Sequence, residues 1–500
     1  MKYESTRGKT ARVTAAEAIK MGIAPDGGLF VPEKKIGLTP EQLSSLQALS
    51  YQERAREVLR LFLADFTDEE ITRCVYGAYS PDKFESPEIA PVVKLAGQVY
   101  LLELWHGPTC AFKDMALQML PLLLTTSTRK TGENAEIAVL VATSGDTGKA
   151  ALEGFRDVPG TRIIVFYPDE GVSQIQERQM ITQEGNNVHV VAVKGNFDDA
   201  QNGVKSIFGN AGFARDLAHH GMKLSSANSI NWGRLVPQII YYISAYLELL
   251  NNGEIKEKEP VNVVVPTGNF GNILAAYYAR EMGLPFKTLI CAANTNNVLT
   301  DFINTGLYDR NRAFHKTISP SMDILISSNL ERLLYEVTGH AAPQVDDWMA
   351  QLRETGRYQV DSQTLAIIRE VFWSDFATDQ ETMETIRDTY QACGYLLDTH
   401  TAVGKRVYDK YVAATGDRST TVIASTASPF KFASSVATAV LGADAVRGRD
   451  EFALLDLLSA TCGIPVPGGL QDLGSKPVRH LRKVERDGMA AVVRELLGIG

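Results

Sequence analysis

Seven short apolar runs dominate the chain beyond residue 92, each released into a loop of small or turn-forming residues: Val99–Leu104, Ile137–Ala142, Arg162–Phe166, Val188–Val193, Val261–Val265, Thr288–Ala293 and Thr421–Ala424. Runs of four to six residues without polar alternation are strands covered on both faces. Strands of that kind set between helical stretches make a parallel α/β sheet. The first ninety residues read differently. Thr39-Pro40-Glu41-Gln42, Ser50-x-x-Glu53 and Thr67-x-x-Glu70 are helix starts of the capping-box type, the first with proline at the first helical position. Asp26-Gly27-Gly28-Leu29-Phe30-Val31-Pro32 is a turn leading into a short extended segment. Ser80-Pro81 and Ser86-Pro87 break the helical pattern, so a boundary is expected within 78–92, separating an N-terminal, mainly helical domain (1–92) from an α/β region (93–500). Asn251–Pro260, rich in Lys and Glu, reads as a solvated connection.

Charge and cysteine usage narrow the function. Fifty basic against fifty-nine acidic side chains leave −9, which argues against nonspecific binding of nucleic acid but leaves room for a local pocket for a small anion. Cys74, Cys110, Cys291, Cys393 and Cys462 are scattered without a CxxC pair, and the eight histidines include no HExxH. Neither a disulfide framework nor a metal site is expected, and a reducing compartment fits. The first residues lack the apolar core of a signal peptide, and Val236–Leu250 is shorter than the ~20 residues of a membrane span. A cytoplasmic protein without membrane association is expected.

Ligands of open α/β sheets sit beyond the carboxyl ends of the strands. Three loops lie there. Gly268-Asn269-Phe270-Gly271-Asn272 stands between a strand and a helix, where backbone N–H groups and the helix dipole can receive an anion; taken alone, it is equally a tight βα turn that binds nothing. Ser144-Gly145-Asp146-Thr147-Gly148 offers hydroxyls and amides, with Asp146 readable either as a functional group or as a helix cap. Ser425-Thr426-Ala427-Ser428 is the least specific of the three. No GxGxxG follows a strand, and Gly469–Lys476 has P-loop spacing with the wrong order, Gly-Ser-Lys, before Pro477. Lys113 lies just past a strand at the start of an amphipathic helix. The electropositive helix end and partial burial would favour the free amine that imine chemistry needs; the alternative is a surface lysine whose stem packs and whose head reaches water.

Taken together, the motifs resemble the threonine synthase family, in its long bacterial and fungal form. They are Ser5-Thr-Arg-Gly8, Asp26–Pro32, His106-Gly-Pro-Thr109 with Ala111-Phe-Lys-Asp114, Ser144–Gly148, Ser226-Ala-Asn-Ser-Ile-Asn231, Gly268–Asn272, His400-Thr-Ala-Val-Gly404 and Ser425-Thr-Ala427. The resemblance implies the tryptophan synthase β-type fold (fold type II) of enzymes dependent on pyridoxal 5'-phosphate (PLP), with a smaller α/β subdomain at about 135–215 inserted in the larger. It implies that Lys113 carries PLP covalently. On the same basis Gly268, Asn269, Phe270, Gly271 and Asn272 hold the cofactor phosphate, Thr426 meets the pyridine nitrogen, and Asp146 borders the ring. Ser144 and Thr147 are implied to take the substrate carboxylate, and Asn228, Asn231 and Arg234 the substrate phosphate, for which arginine's planar fork is suited. No metal is implied. Two departures stand out: Ser428 replaces the histidine of the usual Ser-Thr-Ala-His-Pro pattern, and Trp105 replaces the phenylalanine before His106.

The implied reaction converts O-phospho-L-homoserine and water into L-threonine and phosphate, with Lys113 moving protons at the substrate carbons and PLP serving as electron sink. Two alternatives stay open: a dehydratase or phospho-lyase releasing 2-oxobutyrate, and a PLP-binding homologue without catalysis. The family's long form suggests a monomer.

Overall fold

A computed structural model of the 500-residue chain describes residues 1–143, 145–169 and 172–499. All seven apolar runs are strands, and they divide between two sheets. The larger sheet has the order Phe372–Phe376, Phe286–Ala293, Val261–Pro266, Thr421–Ser425, Val99–Glu103, Val92–Ala96; only the last strand is antiparallel. The smaller sheet is parallel throughout: Arg482–Glu485, Val188–Lys194, Thr161–Pro168, Glu136–Ala142, Met222–Ser225. It therefore reaches beyond the 135–215 span read from the sequence, because Met222–Ser225 and the C-terminal strand Arg482–Glu485 also join it.

The alternation of the pleat explains why these strands are mainly apolar on both faces. Val263 and Val265 face one core, shared with Leu235, Ile239 and Ile243 of helix Trp232–Asn251; Val264 and Ile423 face another, shared with Val403 and Val407 of helix Thr399–Thr415. In the smaller sheet Val139 and Val141 pack with Ala151, Leu152 and Phe155, whereas Leu140 packs with Ile207, Met489 and Val493. Each such side chain contributes about 1.5–3 kcal/mol on burial, so both faces favour apolar residues; the buried Asn262 of Val261–Pro266 donates to Asp417 Oδ2 at 3.0 Å.

In the N-terminal region the three capping boxes at Thr39, Ser50 and Thr67 are present, each with reciprocal side-chain and backbone hydrogen bonds. Phe30–Pro32 pairs antiparallel with Tyr3–Ser5. No helix among the described residues is long and apolar enough to cross a membrane, and among them no group of three His, Cys, Asp or Glu side chains could hold a metal ion.

Candidate active site

Three adjacent central strands, Val261–Pro266, Thr421–Ser425 and Val99–Glu103, end side by side, and the chain leaves each of them into a loop singled out above. Beyond Glu103, helix Lys113–Leu117 begins with the lysine itself. The turn before it is fixed by the buried Asp114, whose carboxylate accepts from Thr109 N at 2.8 Å and Thr109 Oγ1 at 2.7 Å. Phe112 N donates to Thr426 O at 2.8 Å, which ties the lysine to the end of the neighbouring strand. The Lys113 side chain points into the protein, 8% exposed, with Nζ 3.4 Å from Ser321 Oγ and 3.8 Å from Asp146 Oδ2. Burial pushes its amine down to about 8; Asp146 opposes the shift, while Arg234 and Lys431 reinforce it. Near pH 8 the free amine and the ammonium are thus comparably populated.

The 268–272 loop is held by its neighbours rather than by itself. Ser327 Oγ donates to Gly268 O at 2.7 Å, and Asn329 donates to Asn269 O through both its backbone N and its Nδ2, each at 3.1 Å. Helix Gly271–Glu281 follows, with no side chain capping its start. Among the described residues no backbone carbonyl accepts from the N–H groups of 268–273. The buried Asn272 accepts through Oδ1 from the hydroxyls of Tyr241 and Tyr242, while its Nδ2 has no partner among the described residues. A fan of unused donors at a helix start is an anion cradle. The left-handed residue of the loop is Phe270, at φ 62°, its ring packed against Phe372. Gly268 is needed for space: a β-carbon there would lie 3.0 Å from Ser321 O and 3.2 Å from Met322 Cα, both backbone atoms. Gly271 is less constrained, with Asn329 Nδ2 at 3.3 Å as its nearest neighbour. Gly268→Val is therefore expected to weaken cofactor affinity more than Gly271→Ala; a titration giving equal, unperturbed affinities in folded variants would remove the cradle.

From the smaller sheet, Glu136–Ala142 leads to Thr143, whose Oγ1 accepts from Gly145 N and Gly148 N at 3.0 and 2.9 Å. Gly145, at φ 144°, leaves no room for a side chain: a β-carbon would lie 2.5 Å from the Gln176 amide. Ser144 lies outside the described residues. Asp146 starts helix Asp146–Phe155 but is not a cap. Its buried carboxylate takes Lys431 Nζ at 2.9 Å, Gln176 Nε2 at 3.1 Å and Ser321 Oγ at 3.2 Å. Burial alone would raise this carboxyl, but Lys431 and then Lys113 overcome it and hold the group well below the usual carboxylate range. Thr147, half-buried, sits on the same first turn.

The 226–234 segment divides its residues between two tasks. Asn231, 1% exposed, caps helix Trp232–Asn251 by accepting from Gly233 N at 2.8 Å and spends one Nδ2 hydrogen on Ile19 O at 3.0 Å. Asn228 is exposed, with its backbone N on Ser226 Oγ. Arg234 is buried and, among the described residues, donates once, from Nη1 to Ala227 O at 2.8 Å, with no partner for its Nε. Burial pushes this guanidinium down to about 10, and no carboxylate opposes the shift. A buried arginine without a counter-ion is an anion site in waiting. Thr426, 5% exposed, donates through its backbone N to Thr401 Oγ1 at 3.2 Å. Ser428, in the place of the family's histidine, is fully buried and starts the turn Pro429–Phe432.

Sequence reasoning missed four groups here. Lys431 had a local signal, a lysine inside the apolar Pro429-Phe430-Lys431-Phe432 just past Thr426. His400 accepts from Ser321 N through Nε2 at 3.1 Å and faces Asp398 through Nδ1, also at 3.1 Å. Ser321 and Asn329 come from the 294–329 region, where nothing in the pattern marked them. The motif at Ser5–Gly8 also finds its reason: Thr6 and Arg7 bind Glu331, and the adjacent Arg332 joins Phe30 O, Ile230 O and Asn329, bracing both anion-facing loops from the N-terminal strands.

Residues 84–426 match the family model "Pyridoxal-phosphate dependent enzyme", so the chain belongs to the pyridoxal-phosphate-dependent enzymes. Residues 2–79 match "Threonine synthase N terminus" and residues 401–492 "Threonine synthase, C-terminal". Within that class the chain belongs to the threonine synthase family. It is 40% identical to threonine synthase of Pseudomonas aeruginosa over 88% of this chain and 91% of that one. It is 41% identical to human threonine synthase-like 1 over 85% of this chain, and spans 58% of that longer protein's length. The crystal structure of PLP-bound threonine synthase from Brucella melitensis superimposes with a TM-score of 0.87 at 36% identity, covering 99% of both chains.

Proposed function

We propose that this chain catalyses the threonine synthase reaction, converting O-phospho-L-homoserine and water into L-threonine and phosphate with pyridoxal 5'-phosphate as cofactor. The observation that carries the reading is the pairing of two separate, unsatisfied anion sites with one buried lysine: the 268–273 amides with Asn272 Nδ2, and Arg234. A reaction that holds a phosphorylated cofactor and a phosphorylated substrate together needs two such sites. The donor set fits the cofactor: amides of residues 268–272 for its phosphate, Lys113 for its aldehyde carbon, Thr426 toward the pyridine nitrogen and Asp146 beside the ring. Arg234, with Asn228, would take the substrate phosphate, and the Ser144–Thr147 segment the substrate carboxylate.

When bound, PLP supplies an electron sink for carbanions next to its point of attachment. The Lys113 amine, kept partly unprotonated by burial, takes protons from the substrate Cα and Cβ, returns one at Cγ and, once water has added at Cβ, returns one at Cα. Arg234 holds the phosphate while it leaves Cγ and compensates its charge. Water then adds at Cβ. Thr426 can donate a hydrogen bond from its hydroxyl to the unprotonated ring nitrogen but cannot hold that nitrogen protonated as a carboxylate would. Thr426→Asp is therefore expected to change the cofactor's visible spectrum and its pH dependence, and a spectrum identical to wild type across pH would move Thr426 away from the ring.

The same reading takes the protein as a cytoplasmic monomer acting on a small molecule, in keeping with a net charge of −9. Incubation with O-phospho-L-homoserine and separation of the products tests the function: threonine and phosphate in equal amounts support it, whereas 2-oxobutyrate marks a phospho-lyase and no turnover with PLP bound marks a carrier.

A further inference from the structure

Two buried lysines share one carboxylate. Lys431, fully buried, reaches Asp146 Oδ1 at 2.9 Å and donates to Thr109 O at 2.8 Å. Lys113 stands on the other oxygen, Oδ2, at 3.8 Å, beyond direct hydrogen bonding and bridged by Ser321 Oγ. The two lysines come from the ends of adjacent strands in the larger sheet, and the aspartate from the smaller sheet's first loop. Gln176 aims the carboxylate from a further helix, and His400, near enough to favour its charged form, is itself turned away onto Ser321 N and Asp398. The remaining charges facing Lys113 are Arg234 and Asp114, the latter occupied by Thr109.

We propose that Lys431 is a positioning residue for the reaction: it takes up the charge of Asp146, so that Lys113 is left without a close counter-ion and keeps its amine free. The physical reason is competition. A buried carboxylate must be neutralised by some cation. With Lys431 in place, Asp146 has its partner at hydrogen-bond distance, and the like charge of Lys431 disfavours a second ammonium beside it. Without Lys431, Lys113 is the remaining lysine within reach of Asp146, and the pair would close with the proton on Lys113. The same contact pins the smaller sheet's loop against the larger sheet, so the position of Asp146 and the protonation of Lys113 are set by one side chain.

The inference rests on Lys113 carrying the cofactor, and the experiment separates the two. In the holoenzyme the pH midpoint of the bound cofactor's visible absorption reads the charge at Lys113 Nζ, and borohydride reduction with peptide mapping locates the attachment. Lys431→Met is expected to move that midpoint upward by about 1–3 pH units, the shift typical of an opposite charge within reach. Lys431→Arg, which keeps the charge, should stay near wild type, and Asp146→Asn should move the midpoint downward. Should Lys431→Met not fold, the Asp146→Asn shift and a Lys431→Met/Asp146→Asn double variant, which removes both partners and should show no upward shift, decide the matter. A midpoint unmoved or lowered in Lys431→Met, or raised in Asp146→Asn, overturns the role of Lys431. Attachment to another lysine overturns the assignment beneath it.

Discussion

Lys113→Ala is expected to lower kcat/KM by at least about 10⁴-fold, because it removes both the cofactor's anchor and the proton carrier, and proton transfer alone contributes about 10²–10⁴. The variant should still bind some PLP noncovalently, since the amides of 268–273 and Asn272 Nδ2 do not depend on the lysine. In the wild type, borohydride should fix the cofactor to the peptide containing Lys113; in the variant nothing should be fixed while the cofactor is still retained on gel filtration. Substantial turnover in Lys113→Ala, or fixation at another lysine, would show that the buried amine serves some other purpose.

Arg234→Leu is expected to lower kcat/KM for O-phospho-L-homoserine by about 10- to 150-fold, since a hydrogen bond to a charged partner contributes about 1.5–3 kcal/mol. Its one intramolecular bond, to Ala227 O, makes a structural role the competing explanation. Kinetics and thermal melting together separate the two. A variant that melts normally, holds PLP and turns over poorly supports the phosphate role. A variant that melts early, with normal kinetics in the fraction that remains folded, supports a brace for the 226–231 loop. Leucine rather than lysine is the right replacement, because a second cation at this position would preserve the charge while losing the fork.

What the sequence revealed was what local pattern encodes. The central strands were legible because burial on both faces makes them mainly apolar. The site loops were legible because glycine, asparagine and hydroxyl residues cluster where backbone must approach a ligand. The strands Met222–Ser225 and Arg482–Glu485 were not, since each is short, lies at an edge of the smaller sheet and carries charged residues. The capping role of Asn231 was not legible, because an asparagine before a helix serves equally as a cap or as a ligand, and its bonds to Gly233 N and Ile19 O appear only in the fold. Lys431, Ser321 and His400 act through partners more than 70 residues away in the chain, a relation that no spacing records.

The most direct test of the account is the fate of water oxygen. Incubating the holoenzyme with O-phospho-L-homoserine in ¹⁸O-labelled water and weighing the products by mass spectrometry should give threonine carrying one labelled oxygen, at its hydroxyl, and phosphate carrying none, because the phosphate leaves with its bridging oxygen and water adds at Cβ. Labelled phosphate beside unlabelled homoserine, or 2-oxobutyrate in place of threonine, would contradict it.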